Sequence, residues 1–169
     1  MSNNDSLWLV VGIGALIGFL ASNPEKEVSE KEVKEELENT EVPQGPYHEF
    51  LEEIKTLFQN GHHRQAVLDT SQLMYKVIRD KSGIHNMDGD QLINNAFGKN
   101  GCLRFDTHSD HAHLETHEGY YYLCKGASMA FRNPAAHAPI KHKPQEAALQ
   151  IQLMAYLIDN IQYKTVPVT

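Results

Sequence analysis

The run Arg132-Asn133-Pro134-Ala135-Ala136-His137 holds the residue types best suited to chemistry in this chain. Arg132 is a permanent planar cation whose fork of N–H donors fits phosphate oxygens. Histidine, the type at 137, moves a proton near neutral pH. Asn133 adds a donor and an acceptor beside the arginine. Together they suffice for metal-free phosphodiester cleavage: histidine deprotonates a ribose 2′-hydroxyl or protonates the leaving oxygen, and arginine stabilises the charged transition state. The same residues also suit a purely structural helix end. Cations favour the negative end of a helix dipole, and proline commonly follows a helix. Spacing alone leaves both readings open.

Further polar clusters flank this run. Lys141-His142-Lys143 is a small basic patch, and Lys141 and Lys143 are candidate RNA phosphate contacts as well as ordinary loop residues. His62-His63-Arg64 opens a helical pattern and reads as an exposed first turn, or as an edge of the active cleft. Tyr120-Tyr121-Tyr122 can stack on bases, although helical spacing sends at least one ring into the core. His113 and His117, four apart, share a helix face and suit zinc, with Asp110, His111 or Glu118 able to complete a site. No HExxH is present, and a solvated helix start is the simpler reading. We assign no metal and no cofactor.

The elements that must position these residues are helical. Apolar residues recur at the 3.6-residue period over about 46–60 (Phe50, Ile54, Leu57, Phe58), 62–81, 112–132 and 144–162 (including Leu149, Leu153 and Leu157). A shorter helix over about 89–97 starts at Asp88. Pro134 predicts that the third long helix ends near Asn133. Leu103-Arg104-Phe105 alternates and reads as a short extended piece.

Ahead of this domain lie two different segments. Residues 7–22 are uncharged and apolar, and as a helix they span roughly 24 Å, short of the ~30 Å hydrocarbon core but within reach of local thinning. Met1–Ser6 lacks the positive charge of a signal peptide. Residues 1–23 are therefore expected to be a membrane anchor, with Gly14 and Gly18 forming a GxxxG. Lys26, Lys31 and Lys34 follow the anchor, which places the domain on the cytoplasmic side. Residues 24–45 form a Glu/Lys-rich spacer closed by Pro43-Gln44-Gly45, and 46–169 form the folded domain. Residues 1–45 hold nine acids and three lysines, so they carry −6 of the formal net charge of −7. The nearly neutral domain neither displays a broad basic face nor excludes RNA. Two cysteines without CxxC spacing, Cys102 and Cys124, exclude a disulfide framework.

The segments Gly61-His62-His63-Arg64-Gln65-Ala66-Val67, Asp88-Gly89-Asp90-Gln91-Leu92, Ala96-Phe97, Gly119-Tyr120 and Gly126-Ala127, with Arg132 to His137, resemble the Ymh-type branch of the HEPN superfamily over about residues 46–163. The final motif matches that superfamily's RNase pattern of arginine, a polar residue, and a histidine a few residues on. The resemblance implies an all-α HEPN-like helical bundle that dimerises, with the arginine and histidine pairs of both chains facing one cleft. It also implies roles in toxin–antitoxin, abortive infection or other anti-phage systems.

The expectation is a membrane-anchored, metal-independent endoribonuclease with an N-terminal transmembrane helix. Arg132 stabilises the phosphate, His137 is the acid/base and Asn133 positions them. Its partners are RNA, the membrane, a second copy, and an antitoxin or defence-system protein. The alternative is a non-catalytic RNA-binding or protein-interaction module of the same fold. A metal-dependent hydrolase built on the histidine cluster is a third possibility.

Overall fold

The computed structural model describes residues 45–105, 111–137 and 141–168, with the backbone alone at 111–113. The expected anchor and almost all of the spacer lie outside the described residues. Among the described residues, no helix is long and apolar enough to cross a membrane.

The domain is mostly helical. Helix α1 spans His48–Gln59 and turns at Gly61, whose φ of +79° lies in the left-handed region open to glycine. Ile54 and Phe58 bury its inner face; Phe50, expected on that face, is exposed. Helix α2 spans His63–Ser82 and stops at left-handed Gly83. It is the spine of the core, with Leu73, Met74, Tyr75, Val77 and Ile78 fully covered. Each such apolar side chain contributes roughly 1.5–3 kcal/mol over exposure. Helix α3, Gly89–Phe97, begins as expected at Asp88, whose carboxylate accepts the Gly89 N–H at 2.9 Å.

Strand β1, Leu103–Phe105, is the extended piece foreseen in sequence. Its partner, β2 (Thr165–Pro167), was not foreseen: the two pair antiparallel, with Arg104 opposite Val166. Two three-residue strands carry too little periodicity to register in the sequence, and only the fold brings them together.

Helix α4 (His111–Ala127) runs into one π-helical turn, Ser128–Arg132, and then into α5, Asn133–His137. The helix end expected near Asn133 is therefore corrected: the chain stays helical through His137. The Asn133 N–H bonds to the Ser128 carbonyl, five residues back. This wide turn gives up the α-helical hydrogen-bond register just before Pro134, so the missing proline N–H and its ring disturb no α-type ladder there. Helix α6, Pro144–Lys164, starts with proline in its first turn. Leu149 and Leu153, read as core, are exposed, whereas Ile151, Met154, Leu157 and Ile158 face inward.

Helices α2 and α6 lie parallel. The Ser71 hydroxyl meets the Met154 sulfur at 3.2 Å midway, and Lys81 Nζ donates to the Gln162 carbonyl at 2.8 Å near both C-termini. The α4–π–α5 rod runs antiparallel to α2. Tyr75 pairs with Ser128 in the middle, and Arg64, at the start of α2, meets Ala135 and Ala136 near the end of α5.

Candidate functional site

The motif is pinned at two levels. Below it, the buried Tyr75 hydroxyl and Ser128 Oγ share a hydrogen bond at 2.5 Å, at the first residue of the π-turn. Burial raises the Tyr75 pKa, while the Ser128 hydrogen bond and the nearby Arg132 charge pull against that rise. The Arg132 cation therefore lies close enough to feel the phenol. Above it, Arg64 Nε donates to the Ala135 carbonyl at 2.7 Å and Arg64 Nη2 to the Ala136 carbonyl at 3.4 Å. A cation at the C-terminal end of α5 satisfies carbonyls that have no helical partner and favours the dipole.

Arg132 is half-buried. Its Nη1 donates to Asn133 Oδ1 at 3.1 Å, and its Nε is sealed from solvent without a hydrogen-bond partner. No carboxylate pairs with it among the described residues. Asn133 Oδ1 is thus the side-chain acceptor that holds one edge of the Arg132 guanidinium. His137, the last residue of α5, is exposed and makes no side-chain hydrogen bond or ion pair among the described residues.

Five helical residues subtend about 140° around the axis and about 7.5 Å along it. Arg132 and His137 therefore leave the rod in different directions rather than stacking on one face of one chain. Lys141 and Lys143 are exposed. Lys143 is the residue from which α6 starts; Lys141 lines a cavity with Gly61, His62, His63, Arg64, Gln65 and His142. The structure thus unites two basic clusters that stand far apart in sequence. Arg64 belongs both to that cavity and to the motif. Sequence reasoning placed Arg64 in an exposed first turn or at an edge of the active cleft, and gave it no partner. Its pairing with Ala135 spans 71 positions and leaves no local signal.

The histidine cluster is corrected in part. His117 is not a solvated helix residue: its Nε2 donates to the Phe97 carbonyl at 2.8 Å and its Nδ1 accepts the Phe105 N–H at 3.3 Å. Both nitrogens are spent tying α3, β1 and α4 together. Burial, and then the neighbouring Arg104 cation, lower its pKa. Among the described residues, no three His, Cys, Asp or Glu side chains converge as metal ligands. His108 and Asp110 lie outside the described residues, and the side chains of His111 and His113 are not described.

The tyrosine run divides. Tyr120 and Tyr121 pack partly against the core and Tyr122 is exposed, so none is fully buried. Cys124 is buried, which pushes its thiol up to about 12 and removes it as a nucleophile.

Residues 47–161 match the family described as "Protein of unknown function (Hypoth_ymh)", well over half of the chain, and the protein belongs to that family. No match was found among curated proteins or among solved structures.

Proposed function

We propose that the domain is a HEPN-type, metal-independent endoribonuclease. The observation that carries the reading is the state of Arg132 and His137. Arg132 is half-buried, held by Asn133, unpaired with any described carboxylate, and retains an unsatisfied Nε. His137 stands exposed five residues on. A half-buried arginine normally finds an acid; one whose charge no described carboxylate offsets favours an oxyanion beside it.

In this reaction His137 takes the proton from a ribose 2′-hydroxyl. The 2′-oxygen forms a bond to phosphorus as the bond to the 5′-oxygen breaks, and a protonated histidine returns a proton to that leaving oxygen. The products are a 2′,3′-cyclic phosphate and a 5′-hydroxyl. Arg132 stabilises the non-bridging oxygens as charge builds on them. Lys141 and Lys143 hold the RNA backbone beyond the cleaved bond.

Acid and base act on opposite sides of the phosphorus, and the geometry of one rod sends Arg132 and His137 apart. A second copy supplies the complementary pair. The exposed face of α4 and the π-turn carries Gly119, Tyr122, Leu123, Gly126 and Met129, at i, i+3, i+4, i+7 and i+10, and leads to Asn133. Open space surrounds both glycines, so a second backbone can approach closely. Within this reading the N-terminal apolar segment tethers the dimer to the cytoplasmic face of a membrane, where an antitoxin or defence-system protein restrains it.

The test is RNA cleavage by the purified full chain in EDTA, with Arg132→Ala and His137→Ala alongside. Cleavage should persist in EDTA and fall by about 10²–10⁴-fold in each variant. RNA bound but never cut by wild type would assign the domain as a non-catalytic binding module. Cutting undiminished in both variants would place the active residues elsewhere.

A further inference from the structure

We infer that residues 7–22, when they are not in a bilayer, lie along an exposed apolar stripe of α6. This holds whether or not Arg132 and His137 cleave RNA; only the competition with a bilayer rests on the anchor reading.

Spacing sets the stripe. Leu149, Leu153, Tyr156 and Tyr163 stand at i, i+4, i+7 and i+14 of α6, within about 80° of its circumference and over about 21 Å of its length. They are 55%, 36%, 43% and 53% exposed. Asn160, on the same side between Tyr156 and Tyr163, is buried and shows no polar group to solvent. The opposite face, with Ile151, Met154, Leu157 and Ile158, already fills the core, so α6 carries a second apolar face that the described residues leave open. The outer side of a surface helix is ordinarily charged or polar, and a continuous apolar one marks a docking surface. The Tyr156 and Tyr120 hydroxyls meet at 2.7 Å, which fixes one edge of the stripe against α4.

The place where the chain enters the domain names the occupant. Tyr47, just ahead of α1, donates its hydroxyl to Asp80 Oδ2 at 3.1 Å near the end of α2. Lys81 Nζ, one residue on, reaches the carbonyl of Gln162, the neighbour of Tyr163. Burial, then the Asp80 carboxylate and more weakly Tyr163, push the Tyr47 phenol up to about 12, so the Tyr47 and Tyr163 rings lie near each other. The N-terminal residues therefore join the domain beside the Tyr163 end of the stripe. Residues 24–44 make a 21-residue connection, which as a coil spans roughly 25 Å, the length of the stripe. Beyond it stand the 16 uncharged residues 7–22, which as a helix also measure roughly 24 Å.

A tether of this length holds the segment at an effective concentration in the millimolar range, so a narrow contact suffices. A second copy lacks that advantage. Four half-exposed side chains fall well short of the roughly 800 Å² per partner that a stable interface buries, and association costs translational and rotational freedom. An uncharged apolar run gains by leaving water for either cover. Docking on α6 and insertion in a bilayer use the same residues, so each excludes the other, and insertion uncovers the stripe.

Trp8 is the single tryptophan of the chain and reports the contact. In lipid-free buffer, the full chain should show Trp8 emission shifted to the blue and shielded from acrylamide, equally at low and high protein concentration. The shielding should be lost in the double variant Leu149→Glu/Leu153→Glu and, separately, in Tyr163→Glu, each with unchanged helicity by circular dichroism, and kept in Arg132→Ala. Phosphatidylcholine vesicles should restore it in the variants, which then sediment with the lipid. Variants that stay off the vesicles overturn the anchor reading and leave the docking intact. Trp8 open to acrylamide in wild type, shielding that survives both sets of substitutions, or a full chain soluble only with detergent overturns the docking. Shielding that grows with protein concentration assigns the segment to contacts between copies and overturns it as well.

Discussion

Arg64 Nε lies 2.7 Å from the carbonyl oxygen of Ala135, joining the first turn of α2 to the helix that carries Arg132 and His137. Neither residue belongs to the proposed reacting set, yet the contact fixes where that helix ends. Arg64→Ala should therefore lower cleavage while costing only about 1 kcal/mol of stability, because the guanidinium is partly exposed. Arg64→Lys should recover little, since a point charge cannot reproduce the two-carbonyl fork. Urea unfolding and initial cleavage rates check the pair. Equal activity in wild type and Arg64→Ala would remove Arg64 from the positioning role.

The Tyr75–Ser128 hydrogen bond should set the register of the π-turn. Tyr75→Phe keeps the buried ring and removes the hydroxyl, at a cost of about 1–3 kcal/mol if Ser128 is left unsatisfied. The paired change with Ser128→Ala should recover part of that loss, because both polar partners then disappear. A double-mutant cycle on unfolding free energies measures the coupling. Strictly additive losses would show that the bond does not hold the turn.

His117 makes stability depend on pH in one direction. Its folded-state pKa is lowered, mainly by burial, from the ordinary value of 6.5. The unfolded chain then binds the proton more readily than the folded one, so this contribution is fully present above about 6.5 and lost as pH falls through the lowered value. Protonation of Nδ1 also sets an N–H against the Phe105 N–H. Wild type should lose stability in mild acid more steeply than His117→Gln, read as urea midpoints across that window. Identical slopes would contradict the assignment.

Arg132→Ala and His137→Ala should fold. His137 is exposed, where substitutions usually change stability by about ±0.5 kcal/mol, and removing the half-buried Arg132 deletes a buried nitrogen that has no partner. Near-native circular dichroism and Tm with cleavage abolished is the expected pattern. Unfolding of both variants would make the motif a structural helix end.

The face holding Tyr122 and Gly126 should be the contact between two copies. A side chain at Gly126 meets open space in one chain, so Gly126→Leu should fold yet block close approach of a second backbone. Light scattering should show a dimer in wild type and a monomer in Gly126→Leu, with cleavage falling in parallel. A dimer of unchanged affinity in that variant would place the contact elsewhere.

Much of the fold is legible in the sequence because helices announce themselves locally. The 3.6-residue pattern places α1, α2, α3, α4 and α6 nearly where they lie, and Asp88 marks the start of α3 through its own side chain. The candidate pair Arg132 and His137 is legible for the same reason, as a motif within six consecutive residues. Tertiary structure alone decided the rest. Pro134 sits inside a helix because the π-turn before it, held through Ser128 by a tyrosine 53 residues away, takes up the register change that proline forbids to a plain α-helix. His117 is a tie rather than a surface ligand because Phe97 and Phe105 arrive from other elements to use both nitrogens. Arg64 and Lys141 share a cavity because α2 and α6 run parallel and begin at one end. Periodicity and capping act over a few residues and are written in order along the chain. Contacts across 50 to 80 positions depend on which buried faces fit one another, and no local pattern encodes that fit.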